Sequence, residues 1–183
     1  MIVIGGSAGA FQSLLTILEG LDRKIQIPII IVFHRLKNSD SLLEQLLQSV
    51  THYRVKQAEE KDIVKEGFLY TAPPNYHLLL EEDGSLALDS SELINYSRPS
   101  IDVSFESFSL ALKNKCCGIL LSGANNDGAN GLKLIAKNGG MTMVQDIEEA
   151  EFDVMPKSAI EIYQGHNVIT IENIIKKINN EFC

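Results

Sequence analysis

Met1-Ile2-Val3-Ile4-Gly5-Gly6-Ser7-Ala8-Gly9-Ala10 opens the chain and is its most informative stretch. Ile2-Val3-Ile4 is an apolar, β-branched run too short for a helix. Two glycines follow, then a serine between small residues, then an apolar pattern at helical spacing over 11–21. This layout predicts a strand, a tight turn and a helix start, with Ser7 at the turn. Gly5-x-Ser7-x-Gly9 also has the spacing of a nucleophile elbow, in which glycines allow a sharp reversal and the helix N-terminus offers amides to an anion. Ser7 is therefore the first candidate nucleophile. Alone the motif is weak, because a serine in a glycine-rich turn also serves as a helix cap or part of a phosphate cradle.

The β and α signals alternate from there. The apolar run at 27–33, which contains Pro28, has the continuous hydrophobicity of a strand buried on both faces of a parallel sheet, and 41–50 reads as a helix. In the middle, 53–57, 68–72, 77–81 and 85–88 are short strand-like pieces. Gly67, Pro73-Pro74-Asn75 and Asp83-Gly84 punctuate them, the last being a hairpin-turn signal, so a hairpin-rich insertion is predicted. Alternation resumes with a helix at 101–114, a strand at 116–121, a helix at 128–138, a strand at 141–145 and helices at 156–164 and 171–182. The fold class that follows is α/β: an open, doubly wound, mostly parallel sheet with helices on both faces and a β-hairpin-rich insertion, built as one domain over 1–183.

Composition narrows the function classes. With 183 residues, 45% hydrophobic and 22% charged, the chain can bury a core of ordinary globular type. Its net charge of -8 argues against general binding of nucleic acid or of an anionic membrane, both of which need a basic surface. The apolar runs are far shorter than a bilayer span and no basic segment precedes the first, so direct membrane insertion and a signal peptide are not expected and the reading is cytoplasmic. Cys116 and Cys117 are adjacent, Cys183 stands apart, and no metal spacing or cofactor motif is present, which suits a reducing environment.

In open α/β sheets ligands bind beyond the C-terminal strand edge. Three predicted strands end there in useful groups. The first ends at Ser7, the second runs into His34, and the strand at 116–121 opens into Ser122-Gly123-Ala124-Asn125-Asn126-Asp127-Gly128. A hydroxyl, an imidazole and a carboxylate on one edge are the set needed for acyl transfer. Each also has a plain reading. A strand-end histidine is more often structural, and Asp127 could simply cap the helix that follows it, although Gly123, Gly128 and Gly131 around it allow close backbone approach. His52 and His166 read as solvated, and His77 either lines the site or packs beside Tyr76. Asp102 reads as a first-turn residue of a helix, Arg98 is open between a helix start and a substrate-carboxylate contact, and the cysteine pair reads as strand packing.

The chain resembles the catalytic domain of CheB-type protein-glutamate methylesterases over nearly its whole length. The resemblance is carried by Ile4-Gly5-Gly6-Ser7-Ala8-Gly9, Phe33-His34, Tyr70-Thr71-Ala72-Pro73-Pro74-Asn75-Tyr76-His77-Leu78, Ser97-Arg98-Pro99-Ser100-Ile101-Asp102-Val103, Leu121-Ser122-Gly123-Ala124-Asn125-Asn126-Asp127-Gly128-Ala129 and Met155-Pro156-Lys157-Ser158-Ala159. It implies a triad of Ser7, His34 and Asp127, an oxyanion site at the backbone amides around Ala124 and the Ser7-Ala8 turn, and no cofactor. The implied reaction is hydrolysis of glutamyl γ-methyl esters on methylated chemoreceptors or related signalling proteins, with receptor glutamine deamidation as a second activity. Many relatives have Thr and Gly where this chain has Ala8 and Ala10. Relatives in the classical pathway also carry an N-terminal receiver domain, separate or fused. Here the strand bearing Ser7 begins at residue 2, which is expected of a stand-alone esterase or an excised domain.

Two other function classes start from the same residues. A dinucleotide-binding module fits poorly, because Gly5-Gly6-Ser7-Ala8-Gly9-Ala10 lacks G-x-G-x-x-G spacing and the second strand ends in His34 rather than an acidic residue. A catalytically silent receptor-binding or signalling domain would keep every residue named above, and only an assay separates it from the esterase.

Overall fold

The computed structural model describes residues 1–34 and 42–183. Strand β1 (Ile2–Gly6) leads to helix α1 (Ala10–Gly20), β2 (Ile29–Phe33) and α2 (Leu42–Val50). Four short strands follow: β3 (Arg54–Gln57), β4 (Phe68–Thr71), β5 (His77–Leu80) and β6 (Leu86–Asp89). The second half runs α3 (Ile101–Leu112), β7 (Cys117–Leu120), α4 (Ala129–Lys137), β8 (Met141–Gln145), α5 (Val154–Ile162), β9 (Asn167–Ile169) and α6 (Ile171–Phe182).

The main sheet has the order β3-β4-β2-β1-β7-β8-β9, and each pair of neighbouring strands in it is parallel. β1 lies in the middle, with Ile4 paired to Ile31 of β2 on one side and to Ile119 of β7 on the other. Every residue of β1 and β2 is buried, as the unbroken apolar runs require of strands covered on both faces. Side chains alternate between two cores. Ile2, Ile4, Ile29, Ile31 and Phe33 face α1, α2 and α6, where Leu14, Ile17, Leu47, Ile174 and Ile178 are buried. Val3, Ile30 and Val32 face the other way, against Phe105 and Phe108 of α3, Leu132 and Ile135 of α4 and Met155 of α5. The chain leaves β1 toward β2 on one side and returns to β7 on the other, so the order reverses at β1 and the crevice above β1 and β7 is the expected binding place.

The predicted elements are found with ends shifted by at most two residues, and two differences have physical causes. Only β5 and β6 form the expected hairpin, while β3 and β4 extend the main sheet in parallel. Their pieces are short because they lie toward an edge, so length alone did not separate them from hairpin strands. β9 carries no continuous apolar run: all three of its residues are at least partly exposed, and it closes the far edge. Ser41, the predicted start of α2, lies outside the described residues. Among the described residues no helix is long and apolar enough to cross a membrane.

The helices α3 and α4, which pack on the same face of the sheet, touch through Gly131. A Cβ there would stand 2.6 Å from the Phe105 Cβ and 2.8 Å from the Asp102 carbonyl oxygen. Gly131→Ala thus sets two effects against each other: helix propensity favours alanine by about 1 kcal/mol, whereas overpacking costs about 1–3 kcal/mol. Overpacking should win because one obstacle is backbone. Urea denaturation is expected to show net destabilisation, and a stabilised variant would contradict the tight α3–α4 contact.

Candidate active site

Ser7 follows β1 directly. Its backbone N–H donates to the Ser122 carbonyl at 3.0 Å, and the His34 N–H donates to the Gly6 carbonyl at 3.4 Å. These bonds continue the sheet ladder one residue past the strands, so the C-terminal ends of β2, β1 and β7 are stitched side by side. The reversal into α1 is made by Gly9, whose φ of 74° lies in the left-handed region. A Cβ on Gly9 would come within 2.7 Å of the Glu151 Cβ and 2.9 Å of the Ser122 hydroxyl, so a side chain there is excluded by space as well as by backbone. Ala10 is fully buried, and Gly6 leaves room for it, since a Cβ on Gly6 would be 2.7 Å from the Ala10 Cβ.

The three expected groups come together. His34 Nδ1 is 3.0 Å from Ser7 Oγ, and His34 Nε2 is 2.8 Å from Asp127 Oδ2. Asp127 is fully buried and His34 is 14% exposed at its side chain, so the pair is shielded while Ser7 keeps partial access to solvent. With Asp127 ionised, Nε2 carries the imidazole proton and donates it, which leaves the Nδ1 lone pair to accept from the Ser7 hydroxyl. This uses the two ring nitrogens in the reverse sense of the serine-protease template, where Nε2 faces the serine.

A buried carboxylate must be compensated or it takes up a proton. Burial does push Asp127 upward. Hydrogen bonds from His34, Asn95, the Ile101 amide and the Ser100 hydroxyl outweigh that effect and hold its pKa below the ordinary aspartate value. Oδ2 accepts from His34 and from Ile101 N at 2.6 Å; Oδ1 accepts from Ser100 Oγ at 2.8 Å, Asn95 Nδ2 at 2.9 Å and Asp102 N at 3.2 Å. Asp127 is a helix cap after all, though of α3 and not of the α4 that follows it; the α4 cap is Gly128, with no side-chain cap bond. Asp102 returns the arrangement by accepting from Gly131 N in the first turns of α4 at 2.7 Å. Burial and the neighbouring Asp127 charge raise the Asp102 pKa against the hydrogen bonds from Gly131, Asn95 and Asn130.

Other sequence candidates find their places. Ala8 and Ala124 are exposed beside Ser7 and on the loop after β7, and among the described residues neither backbone N–H has a protein acceptor. Arg98 donates to the Ser90 carbonyl at 2.6 Å, to the Ser91 carbonyl, and to Asn75 Oδ1 at 2.7 Å, so its guanidinium clamps the loop before α3. His77 is fully buried and neither lines the crevice nor stands free: its Nδ1 accepts from Ser100 N at 3.1 Å and its Nε2 donates to the Glu92 carbonyl at 3.0 Å. It supports the residue that supports Asp127. His166, read as solvated, is 7% exposed, bonded to Thr142 Oγ1 at 2.8 Å, and lowered by burial to about 4. His52 is also partly buried, with Nε2 3.1 Å from the Ile25 carbonyl. Cys116, just before β7, and Cys117, its first residue, are both buried, and burial pushes their thiols up to about 12, consistent with packing and not with reactivity. The sequence reading missed the Asn95 and Ser100 bonds to Asp127; Ser100 before an apolar helix was a legible cap, but its second partner was not.

Hydroxyl, imidazole and buried carboxylate in one hydrogen-bonded line, at the switch point of a parallel sheet, define the hydrolase class of site. A profile of the CheB methylesterase family matches residues 2–178. The chain belongs to that family. It is 46% identical over 173 residues to a Leptospira interrogans protein provisionally named protein-glutamate methylesterase/protein-glutamine glutaminase, covering 94% of this chain and 90% of that one. A Thermotoga maritima protein-glutamate methylesterase/protein-glutamine glutaminase is 33% identical over 97% of this chain, which spans 53% of its length. The crystal structure of the Thermotoga maritima CheB methylesterase catalytic domain superposes with a TM-score of 0.92 at 32% identity, covering 98% of this chain and 96% of that one.

The Asp127 shift has a stability consequence. Its folded pKa is depressed, so its contribution is fully present above the unfolded-state value of about 3.9 and is lost as pH falls through the lower folded value. Comparison of the protein with its Asp127→Asn variant by urea denaturation should show a stability gap that is constant near neutrality and closes as pH falls below about 4. A gap independent of pH would mean that the carboxylate charge is not what the donors stabilise.

Proposed function

We propose that the protein hydrolyses γ-methyl esters of glutamate side chains on methyl-accepting chemoreceptors or related signalling proteins, with Ser7 as nucleophile, His34 as general base and acid, and Asp127 as the group that orients His34. One observation carries the reading: His34 bridges Ser7 Oγ at 3.0 Å and a buried, five-fold hydrogen-bonded Asp127 at 2.8 Å. Family membership and the names of the relatives support the ester as substrate.

Ser7 Oγ attacks the ester carbonyl while its proton passes to Nδ1 of His34. The imidazolium so formed faces the Asp127 carboxylate, which stabilises it without taking the proton. The amides of Ala8 and Ala124 lie on the two loops that flank Ser7 and are assigned to the developing oxyanion. Collapse of the tetrahedral intermediate breaks the C–OCH3 bond, and His34 returns its proton to the leaving oxygen, releasing methanol. Water then attacks the glutamyl ester of Ser7, His34 again removes a proton, and the second collapse frees Ser7 and a glutamate carboxylate. A glutamine side chain follows the same course with ammonia leaving, which makes deamidation the second activity. Ala8 offers its backbone but no hydroxyl, so oxyanion stabilisation in this chain rests on amides alone. Arg98, already committed to three protein acceptors, serves to hold the loop before α3 and not to bind a carboxylate.

The direct assay is release of labelled methanol from methyl-labelled receptor membranes. Ser7→Ala and His34→Ala should each lower it by several orders of magnitude, and the double variant should lose little more than either single one, because the members act as a unit. Multiplicative losses would contradict a shared step. In parallel, a fluorophosphonate probe should label Ser7, as read by peptide mapping; a label on Ser122 or Ser100, or none on folded protein, would remove Ser7 as the activated nucleophile.

A further inference from the structure

Asn95 lies outside the Ser7–His34–Asp127 line, yet its carboxamide is built into it. Nδ2 donates to Asp127 Oδ1 at 2.9 Å and to Asp102 Oδ2 at 3.0 Å. An amide NH2 has two hydrogens and no charge, so one neutral group satisfies two neighbouring carboxylates. Asp102 is the more weakly compensated of the two: burial and the Asp127 charge outweigh its hydrogen bonds, whereas the hydrogen bonds to Asp127 outweigh its burial. Without a donor between them, repulsion would push the carboxylates apart, and Asp127 could turn only by giving up its alignment with His34.

The backbone reinforces the choice of residue. Asn95 and Tyr96 have φ of 49° and 59°, and Ile94 and Ser97 exchange two backbone hydrogen bonds of 3.2 and 2.9 Å. This is a two-residue turn with both central residues left-handed, a conformation that asparagine tolerates better than most side chains. The turn leaves Tyr96 98% exposed while the Asn95 carboxamide reaches inward. Glycine would accept the same turn but donate nothing. Aspartate would accept it too, but would aim a third carboxylate at Asp102 and Asp127. Asparagine alone among the three meets both the backbone and the donor requirement.

We propose that Asn95 is a positioning residue for the ester hydrolysis, holding Asp127 so that Oδ2 faces His34 Nε2 and screening it from Asp102. The proposal rests on the functional reading of Ser7, His34 and Asp127 given above. Removal should be partial in effect, because Asp127 keeps the Ser100 hydroxyl and the Ile101 and Asp102 amides.

The test is a double-mutant cycle on methanol release, with each variant assayed below its own melting transition. Asn95→Gly, which preserves the turn, should lower kcat about 10-fold with KM little changed, the lower end of what one hydrogen bond to a charged group supplies. Asn95→Asp, nearly isosteric, should lower kcat further. In an Asp127→Asn background the Asn95→Gly change should add less than about 2-fold, since a residue acting through Asp127 has nothing left to act on. Equal losses in both backgrounds would show a merely structural role, and unchanged kcat in both single Asn95 variants would remove the role altogether. Either result overturns the proposal while leaving the esterase reading standing. No methanol from the unaltered protein would instead overturn the esterase reading on which the proposal rests.

Discussion

The Asp127 carboxylate is the group on which the rest of the site depends. Burying an ionised carboxylate costs several kcal/mol even after the surroundings relax. Here five donors converge on its two oxygens, two of them first-turn amides of α3. Those amides belong to the set that has no partner within a helix, and the helix dipole favours a negative charge beside them. The compensation exceeds the burial penalty, which is why the pKa of a fully buried aspartate lies below the ordinary value. A carboxylate held by α3 and fixed in the loop before α4 also locks the two helices to each other, and Asp102 locks them a second time from the opposite side. Catalytic geometry and the α3–α4 contact are thus products of one arrangement.

The parallel sheet supplies the other half. Because β2, β1 and β7 are adjacent and point the same way, residues that follow them in three distant parts of the sequence arrive at one edge. The backbone bonds from Ser7 to Ser122 and from His34 to Gly6 fix their relative height. The loop after β7 is in turn tied down by Ser122, whose hydroxyl donates to the Ala8 carbonyl at 2.9 Å and accepts from Phe152 N at 2.9 Å, and whose N–H donates to Gln145 Oε1 at 2.8 Å. The two turns that carry the proposed oxyanion amides are therefore coupled through one buried serine.

Much of this was legible in the sequence, for identifiable reasons. The fully buried strands announce themselves as unbroken β-branched runs, and Ser7, His34 and Asp127 each fall just past such a run, where a parallel sheet must gather them. What was hidden depends on contacts between distant segments. β3 and β4 look like hairpin strands until their neighbours are known. His77 and His166 look polar but are buried against Ser100 and Thr142, partners 23 and 24 residues away. Asp127 reads as a cap of the nearest helix, yet the amides it meets are 26 and 25 residues back along the chain. Local pattern gives the element and the residue type; the identity of the partner is a property of the packed structure.

Asp127 fixes the His34 imidazole as the Nε2–H tautomer with its Nδ1 lone pair directed at Ser7. Nitrogen-15 NMR of the imidazole in labelled protein, above neutral pH, reads the tautomer directly. The expected result is a protonated Nε2 with a low-field, slowly exchanging proton and a bare Nδ1, and loss of that low-field proton in Asp127→Asn. A protonated Nδ1, or two tautomers in fast exchange in the unaltered protein, would contradict it.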